Sequence, residues 1–338
     1  MKKFLIKISY TLLPVWLLAV LGVSYFSIFV CPEITGDIGR LAIIPFGHDY
    51  DNELAKHYPS EEMFTTVYDI NELKQVQADV ITIGDSFSNR SEDAYQNYLE
   101  QRGLKVVNCQ RKMFYNPVTF AYEIMDLGVI DSVNAPVLVV ECGERAFDMF
   151  MCEFDPKPDL QKVFAEKKKL QGKSPNQWSL ARLRDYIVYH SGFMTPPILE
   201  VTLDKDFFSS NEPRRLYFYS EDVEEMRLND SHKPKIMETY NALLRKAQDK
   251  GIKLVFVVAV DKYDLYQKHI VDNPYPEKCV IEDIRHMFEK DPHILLCKYL
   301  LEPMVERGEK DVFLFNDTHW SYKAAEVVAD GIYRKIRD

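Results

Sequence analysis

The chain has little of what marks disordered, repetitive or metal-binding proteins. Its 338 residues include only 13 glycines and 17 prolines, with no low-complexity run and no internal repeat. These absences exclude a disordered chain and a solenoid. A hydrophobic content of 46% is ample for the core of one large domain, or of one domain with an insertion.

The six cysteines form no CxxC pair and show no Cys/His spacing of the kind that binds metal. We therefore predict neither a metal nor a cofactor. Cys109 and Cys142 each end a predicted strand, so they could pair in an oxidising compartment or remain buried free thiols.

The chain also lacks a basic excess. It has 42 basic and 52 acidic residues, and residues 1–31 hold three of the lysines and no acid. The remainder therefore carries 39 basic against 52 acidic residues, a net charge of −13. This balance argues against nucleic acid as a partner and against whole-surface attraction for a polyanion, although a local basic groove stays open.

No charged residue occurs from Ile8 to Pro32. A membrane-spanning helix needs about 20 apolar residues, so this run is long enough. Lys2, Lys3 and Lys7 precede it and would stay on the cytoplasmic side. We predict a single-pass anchor over residues 1–32 in the inner or cytoplasmic membrane, with the rest of the chain periplasmic or extracellular.

Two alternatives to the anchor remain. Gly22-Val23-Ser24 is a small-x-small site at which a signal peptide could be cleaved. Attachment of a lipid at Cys31 is the other, but Val30 is a poor residue before a lipidated cysteine. The apolar run continues past Ser24 to Val30, which favours the anchor over cleavage.

Residues 77–338 alternate between short apolar runs and helical patterns. We predict helices over 89–102, 117–128, 233–250 and 321–336. We predict strands over 79–84, 104–108, 135–142, 252–258 and 312–315. Strands that are apolar throughout and alternate with helices are typical of a parallel sheet covered on both faces. This pattern predicts a three-layer, flavodoxin-like α/β fold, with its site beyond the carboxyl ends of the strands.

Two segments lie outside this pattern. Residues 33–76 read as a connector with some helix. Residues 146–231 read as an insertion that either flanks the mouth of the site or is purely structural. The insertion contains Lys167-Lys168-Lys169, which we interpret as a solvated helix face.

Gly84-Asp85-Ser86 follows the first predicted strand of this domain. A serine at this position faces the crevice at the sheet edge, and the turn offers N–H groups to a developing oxyanion. The alternative is that Asp85, Ser86 or Ser88 merely caps the next helix.

Asp317-Thr318-His319-Trp320 lies near the carboxyl terminus, after another predicted strand. His319 could take the proton of Ser86 while Asp317 orients the imidazole. The alternatives are a capping aspartate with a surface histidine, or a metal site for which no third ligand is evident. Ser86, His319 and Asp317 are our predicted catalytic residues.

The combination of an early GDS with a late Asp/His block resembles the SGNH/GDSL hydrolase superfamily. The Asp-x-His-Trp form is similar to the acyltransferase branch that contains the alginate O-acetylation proteins AlgJ and AlgX. Segments 139–145 and 260–266 also look similar to that branch. In that branch the Asp-x-His block precedes the serine, whereas here the serine comes first. DltD-like teichoic acid proteins share the broader plan.

The resemblance implies an extracytoplasmic O-acyltransferase, most simply an O-acetyltransferase, that acts on a polysaccharide or cell-envelope glycan through an acyl-serine. It implies a glycan acceptor, and a multispanning membrane acyltransferase that supplies the acyl group. An esterase with the same triad and a non-catalytic envelope-assembly protein are the alternatives.

The oxyanion hole departs from the SGNH pattern, which has a glycine after the second strand and an asparagine after the third. Asn108 stands near the end of the second strand here, and Arg145 follows the third. We predict oxyanion or substrate-binding roles for five residues: Asp85, Asn108, Arg145, Lys262 and Trp320. Arg145 could instead pair with Glu141 or Glu144, and Lys262 could simply begin a helix.

Overall fold

The computed structural model describes residues 2–30, 36–40, 63–90, 94–133, 135–156, 180–191 and 197–338. Six of its strands form a central sheet in which every pair is parallel. These strands are β1 (Thr65–Val67), β2 (Val80–Ile83), β3 (Val106–Cys109), β4 (Val137–Gly143), β7 (Lys253–Ala259) and β8 (Ile294–Leu296). Two further strands, β5 (Ile198–Thr202) and β6 (Arg215–Tyr219), pair antiparallel in a separate small sheet.

The strands of the central sheet lie in the order β1-β3-β2-β4-β7-β8. Without β1, this is the order of flavodoxin-like sheets, in which the first strand lies between the second and third. The chain therefore reverses direction across the sheet between β2 and β4. The predicted α/β fold with a parallel sheet is confirmed.

Alternate residues of the central strands enter two separate cores. In β4, Val137 and Val139 belong to one core, whereas Leu138 and Val140 belong to the other. This period of two is expected for a strand that is covered on both faces. The domain thus has three layers, with the sheet between two layers of helices.

The helices divide between the two faces. One core contains residues of α4 (Tyr95–Gln101), α10 (Lys262–Tyr266), α12 (Lys298–Glu306) and α13 (Tyr322–Arg337). The other contains residues of α5 (Pro117–Asp126), α6 (Val129–Val133), α7 (Glu144–Cys152), α9 (Lys233–Asp249) and α11 (Val280–Met287). The remaining helices are α1 (Lys2–Tyr25), α2 (Asp37–Arg40), α3 (Ile70–Leu73) and α8 (Leu180–Ser191).

The N-terminal helix is apolar over Leu12–Val30, 19 residues with a mean hydropathy of 2.1. It is long enough to cross a membrane, and a signal sequence near the N-terminus would have the same properties. Its last turn is wound as a π-helix over Phe26–Val30. There Phe26 packs edge-on against Tyr186 of α8, with ring centroids 5.2 Å apart. Cys31 lies outside the described residues.

The predicted insertion contains most of α7, all of α8, and the β5–β6 hairpin. Residues 157–179, which include Lys167-Lys168-Lys169, lie outside the described part of the chain.

Three details of the sequence prediction were wrong. Residues 312–315 do not add a strand to the sheet. Phe313 instead forms an isolated antiparallel bridge with Trp320, because the backbone of this segment pairs within its own loop. The strand beside β7 is β8, and β1 lies inside the segment that was read as a connector. The predicted helix over 89–102 begins only at Tyr95.

The five cysteines that the structure describes are free thiols. Cys109 ends β3 and Cys142 is the last residue but one of β4, and β2 separates these two strands, so the two cysteines do not pair. Burial raises the pKa of Cys109 to about 12, so its thiol stays protonated.

Candidate active site

The predicted site lies where β2 and β4 end side by side. In doubly wound sheets, a crevice opens between the carboxyl ends of two neighbouring strands whose connections leave to opposite faces. Gly84-Asp85-Ser86 directly follows β2, and Gly143 ends β4. The sequence therefore places Ser86 at the one point of the sheet where the topology creates a crevice.

The turn after β2 is packed too closely to accept a side chain at residue 84. A Cβ on Gly84 would lie 2.1 Å from Ser88 Oγ and 2.3 Å from Glu141 Oε2. Asp85 fixes the turn from the other side, since its carboxylate accepts hydrogen bonds from Phe87 N at 3.1 Å and Gly143 N at 2.7 Å. Asp85 thus joins the two strand ends, and its side chain is buried.

Glu141, on β4, lies beneath the same turn and is fully buried. Its Oε2 accepts hydrogen bonds from Asp85 N at 3.1 Å and from Ser88 Oγ at 2.8 Å. Burial, and then the negative charge of Asp85, raise the pKa of Glu141 well above its usual value. The raised pKa favours the neutral acid, and Glu141 supports the turn by accepting these two hydrogen bonds.

Ser86 is half-buried and precedes a short 3-10 turn over Phe87–Asn89. Its side chain does not cap that turn. Within the described part of the chain, neither its Oγ nor its N–H makes a hydrogen bond. A hydroxyl without a structural bond, at the rim of a crevice, is free to act as a nucleophile, and the N–H is free to bind an oxyanion.

The second half of the site is the loop that carries Asp317 and His319. Asp317 Oδ1 lies 2.6 Å from His319 Nδ1 and also accepts hydrogen bonds from Thr318 N and His319 N. Asp317 Oδ2 accepts a hydrogen bond from Arg90 Nη1 at 3.0 Å. Burial alone would raise the pKa of Asp317, but the charges of His319 and Arg90 and their hydrogen bonds hold it well below its usual range. Asp317 is therefore ionised and orients the imidazole.

His319 is 2% exposed, and its Nε2 has no hydrogen-bond partner. Its ring contacts the edge of Phe87, with centroids 4.7 Å apart. Because Phe87 directly follows Ser86, this contact brings the two halves of the site together. No Ser86–His319 hydrogen bond is present among the described residues; catalytic bonds of this kind often tighten only when substrate binds.

Lys262, one of the predicted site residues, supports the same loop. Its Nζ donates hydrogen bonds to the carbonyl oxygens of Leu314, Phe315 and Asp317, at 2.6, 3.2 and 2.9 Å. Burial lowers its pKa to about 7, although Asp317 and Asp222 act in the opposite direction. The side chain is 1% exposed, so Lys262 binds the loop backbone from within.

Arg145 is the second residue of α7, next to the carboxyl end of β4. It forms an ion pair of 2.6 Å with Asp222, so the alternative of a pair with Glu141 or Glu144 is wrong. Its guanidinium lies 5.0 Å from the ring centroid of Tyr219. Asp222 and Tyr219 both belong to the insertion, so this pair fixes the insertion beside the crevice.

The other two predicted residues lie below the surface. Asn108 Oδ1 accepts hydrogen bonds from Thr82 Oγ1 at 2.8 Å and Gln96 Nε2 at 3.2 Å. Trp320 is fully buried, with its ring centroid 4.4 Å from that of Phe87. Both support the site from beneath in this conformation.

Sequence reasoning missed Arg90 and Asp37, which both reach the loop of Asp317. Arg90 stands four residues after Ser86, and Asp37 lies in the segment that was read as a connector. Their roles depend on contacts across the fold, and a single sequence carries no signal for such contacts.

Among the residues that the structure describes, two groups have ligand atoms close enough together to hold a metal ion. The first is Asp37, Asp317 and His319; the second is Asp148, Cys152 and His232. In both groups the atoms already make hydrogen bonds: His319 Nδ1 to Asp317, and His232 Nδ1 and Cys152 Sγ to Asp148.

No curated protein and no solved structure matches the chain. One family model does, and it describes the SGNH hydrolase-like domain of the acetyltransferase AlgX. The match covers residues 213–338, which include Asp317 and His319 but not Ser86. The resemblance that we inferred from the motifs is thus confirmed: residues 213–338 are similar to the SGNH hydrolase-like domain of the AlgX acetyltransferase family.

Proposed function

We propose that this chain is an extracytoplasmic O-acyltransferase that transfers an acyl group, most simply acetyl, to a polysaccharide or cell-envelope glycan. One observation carries the proposal. A buried Asp317–His319 pair, with the imidazole Nε2 unpartnered, lies against the turn that presents Ser86 at the crevice. Ser86, His319 and Asp317 are the nucleophile, the base and the orienting carboxylate.

In the first half of the reaction, Ser86 Oγ attacks the carbonyl carbon of the acyl donor while His319 Nε2 takes the hydroxyl proton. The Ser86 N–H binds the oxyanion of the tetrahedral intermediate. The bond to the leaving group then breaks, and His319 returns the proton to that group. The product of this half is an ester between the acyl group and Ser86.

In the second half, His319 removes the proton of a glycan hydroxyl, whose oxygen attacks the acyl-serine. Collapse of the intermediate releases the acylated glycan, and His319 returns the proton to Ser86 Oγ. Asp317 stays ionised throughout and stabilises the imidazolium that forms in each half.

Transfer requires an acceptor site that competes with water. The insertion supports such a site, because the Arg145–Asp222 ion pair and the Tyr219 ring bring it to the carboxyl end of β4. Aromatic and charged side chains at a crevice rim are suited to a sugar, which has both hydroxyl groups and apolar faces.

The apolar N-terminal helix supports an anchored enzyme whose catalytic domain lies outside the inner or cytoplasmic membrane. A multispanning membrane acyltransferase is the partner that we propose as the source of the acyl group.

The proposal is tested with the full-length protein in detergent, incubated with an activated acetyl ester, with and without an acetyl-free oligosaccharide. We expect mass spectrometry to find an acetyl adduct on Ser86, and the acetyl group to appear on the oligosaccharide. The Ser86→Ala variant should show neither, and Ser132→Ala, which removes a hydroxyl that donates to Val129 O outside the site, is the control.

Two outcomes would point elsewhere. Release of free acid that the oligosaccharide does not reduce would indicate an esterase. Full acetylation of the polymer in cells that express only Ser86→Ala would indicate a non-catalytic role in envelope assembly.

A further inference from the structure

The short helix α2 follows the apolar N-terminal helix in the chain and docks on the loop of Asp317. The N–H groups of Ile38 and Gly39 donate hydrogen bonds to Asn316 O, at 3.1 and 3.2 Å. Ile38 is fully buried. Gly36 has φ of +69°, and a Cβ there would lie 2.3 Å from Asn316 O. The docking is therefore close, and it depends on a glycine at residue 36.

This docking brings a second carboxylate to the catalytic histidine. Asp37 Oδ2 lies 3.3 Å from His319 Nδ1 and accepts a hydrogen bond from Thr318 Oγ1 at 3.3 Å. His319 Nδ1 also lies 2.6 Å from Asp317 Oδ1. Asp317 is the nearer acceptor, and Asp37 approaches the same nitrogen from a different segment of the chain.

The charges around His319 indicate a role for the carboxylate of Asp37. Arg90 pairs with Asp317, so these two side chains together carry no net charge. When His319 accepts the proton of Ser86 it becomes a cation, and the Arg90–Asp317 pair offsets that charge only in part. Asp37 adds the negative charge that the pair lacks, within hydrogen-bonding range of the imidazolium.

We propose that Asp37 is a positioning residue for His319, and that Gly36 to Arg40 is a part of the catalytic site. The inference rests on the proposed function, because it requires His319 to act on Ser86. The inference also limits the distance between the catalytic site and the apolar N-terminal helix. Asp37 follows Val30 by seven residues, and an extended chain spans at most ~3.6 Å per residue, so Asp37 lies within roughly 25 Å of the end of the apolar helix.

The test compares Asp37→Asn with the wild type, both full-length in detergent. Two rates are measured: hydrolysis of an acetyl ester, and covalent labelling of Ser86 by a fluorophosphonate. We expect kcat and the labelling rate to fall about tenfold, with KM unchanged, because the carboxylate acts on the histidine and not on substrate binding. Asp37→Glu should restore most of both rates. Asp69→Asn, at the N-cap of α3, is the matched control and should keep wild-type rates.

The outcomes separate the two proposals. If wild type is labelled at Ser86 and Asp37→Asn is labelled equally fast, the role of Asp37 is refuted and the proposed function stands. A rise in KM with unchanged kcat also refutes it. If wild type is labelled no more than Ser86→Ala, the proposed function fails, and the inference about Asp37 fails with it.

Discussion

Arg90 Nη1 lies 3.0 Å from Asp317 Oδ2, the carboxylate oxygen that does not face His319. The two residues are 227 positions apart, yet this contact connects the segment after Ser86 to the loop of the proposed catalytic pair, Asp317 and His319. It has two effects: it helps to keep Asp317 ionised, and it holds the two halves of the site together.

The first prediction concerns this ion pair. In Arg90→Gln, the pKa of Asp317 should rise toward its usual range, because one of the charges that lower it is lost. We expect about a tenfold loss of acyl transfer at pH 7. The loss should deepen at acidic pH, since protonated Asp317 no longer orients His319.

The measurement is the transfer rate from pH 4 to pH 8, together with the melting temperature. A carboxyl with a lowered folded pKa stabilises the fold above its unfolded pKa, and this contribution is lost as the pH falls through the folded pKa. Wild type should therefore keep its advantage in melting temperature over Arg90→Gln down to a pH near 4. Arg102→Gln removes an ion pair with Asp330 far from the site, and should leave the pH profile unchanged. Identical acid limbs for Arg90→Gln and wild type would contradict the assignment.

Glu141 gives the second prediction. Burial raises the pKa of this acid and so favours its neutral form, which the amide of Glu141→Gln imitates; the amide oxygen can accept the bonds from Asp85 N and Ser88 Oγ. We expect Glu141→Gln to keep activity within about threefold of wild type. Glu141→Ala should lose stability by about 1–3 kcal/mol, since it leaves the buried Asp85 N–H without this acceptor, whereas Ser88 Oγ still bonds with Tyr95 OH at 2.9 Å.

The prediction is checked by measuring the acyl-transfer activity and the melting temperature of both variants. Equal and large losses in Glu141→Gln and Glu141→Ala would show that the carboxylate is charged in the folded protein.

The third prediction concerns Lys262, whose ammonium binds three carbonyl groups of the Asp317 loop. Lys262→Met removes these bonds and should lower acyl transfer at least tenfold, because the loop that positions Asp317 loses its support. The difference in melting temperature between wild type and Lys262→Met should also depend on pH.

A lysine with a folded pKa near 7 binds fewer protons in the folded than in the unfolded state between pH 7 and its usual value. The cost of burying the charge is full below pH 7 and decreases as the pH rises. The melting temperature of wild type, relative to that of Lys262→Met, should therefore increase from pH 7 to pH 9. A flat difference would mean that Lys262 stays charged over this range.

The parts of the fold that sequence could predict are those with a strong local pattern. The strands β2, β3, β4 and β7 are apolar runs, as expected of strands covered on both faces. The two long helices at 233–250 and 321–336 agree with α9 and α13 to within a residue or so. Together these elements were sufficient to predict the flavodoxin-like plan.

Short elements could not be predicted from the sequence, and the reason is physical. β1 and β8 have three residues each, too few to show a period. Residues 312–315 have the composition of a buried strand, but their backbone bonds within the loop, with Leu314 N donating to His319 O and Ser321 N to Val312 O. The apolar composition of residues 312–315 indicates that the segment is buried, but it does not indicate which backbone groups the segment bonds to.

The residues of the site can be divided in the same way, into those that stand in a local motif and those that do not. Ser86, Asp317 and His319 could be predicted as site residues from the sequence because each stands in a local motif. Arg90 and Asp37 were missed because their importance comes from where the fold places them. Arg145 was expected at the site, but its partner, Asp222, could be identified only from the structure.

The chain order of the proposed catalytic residues has a consequence for when the site can form. Ser86 is synthesised 231 residues before Asp317. The loop of Asp317 and His319 also docks on residues 36–40, which are synthesised earlier still. A nascent chain that has not yet reached His319 therefore has the proposed nucleophile but not its base. The proposed nucleophile can be activated only once His319 has been made and its loop has folded onto these earlier segments.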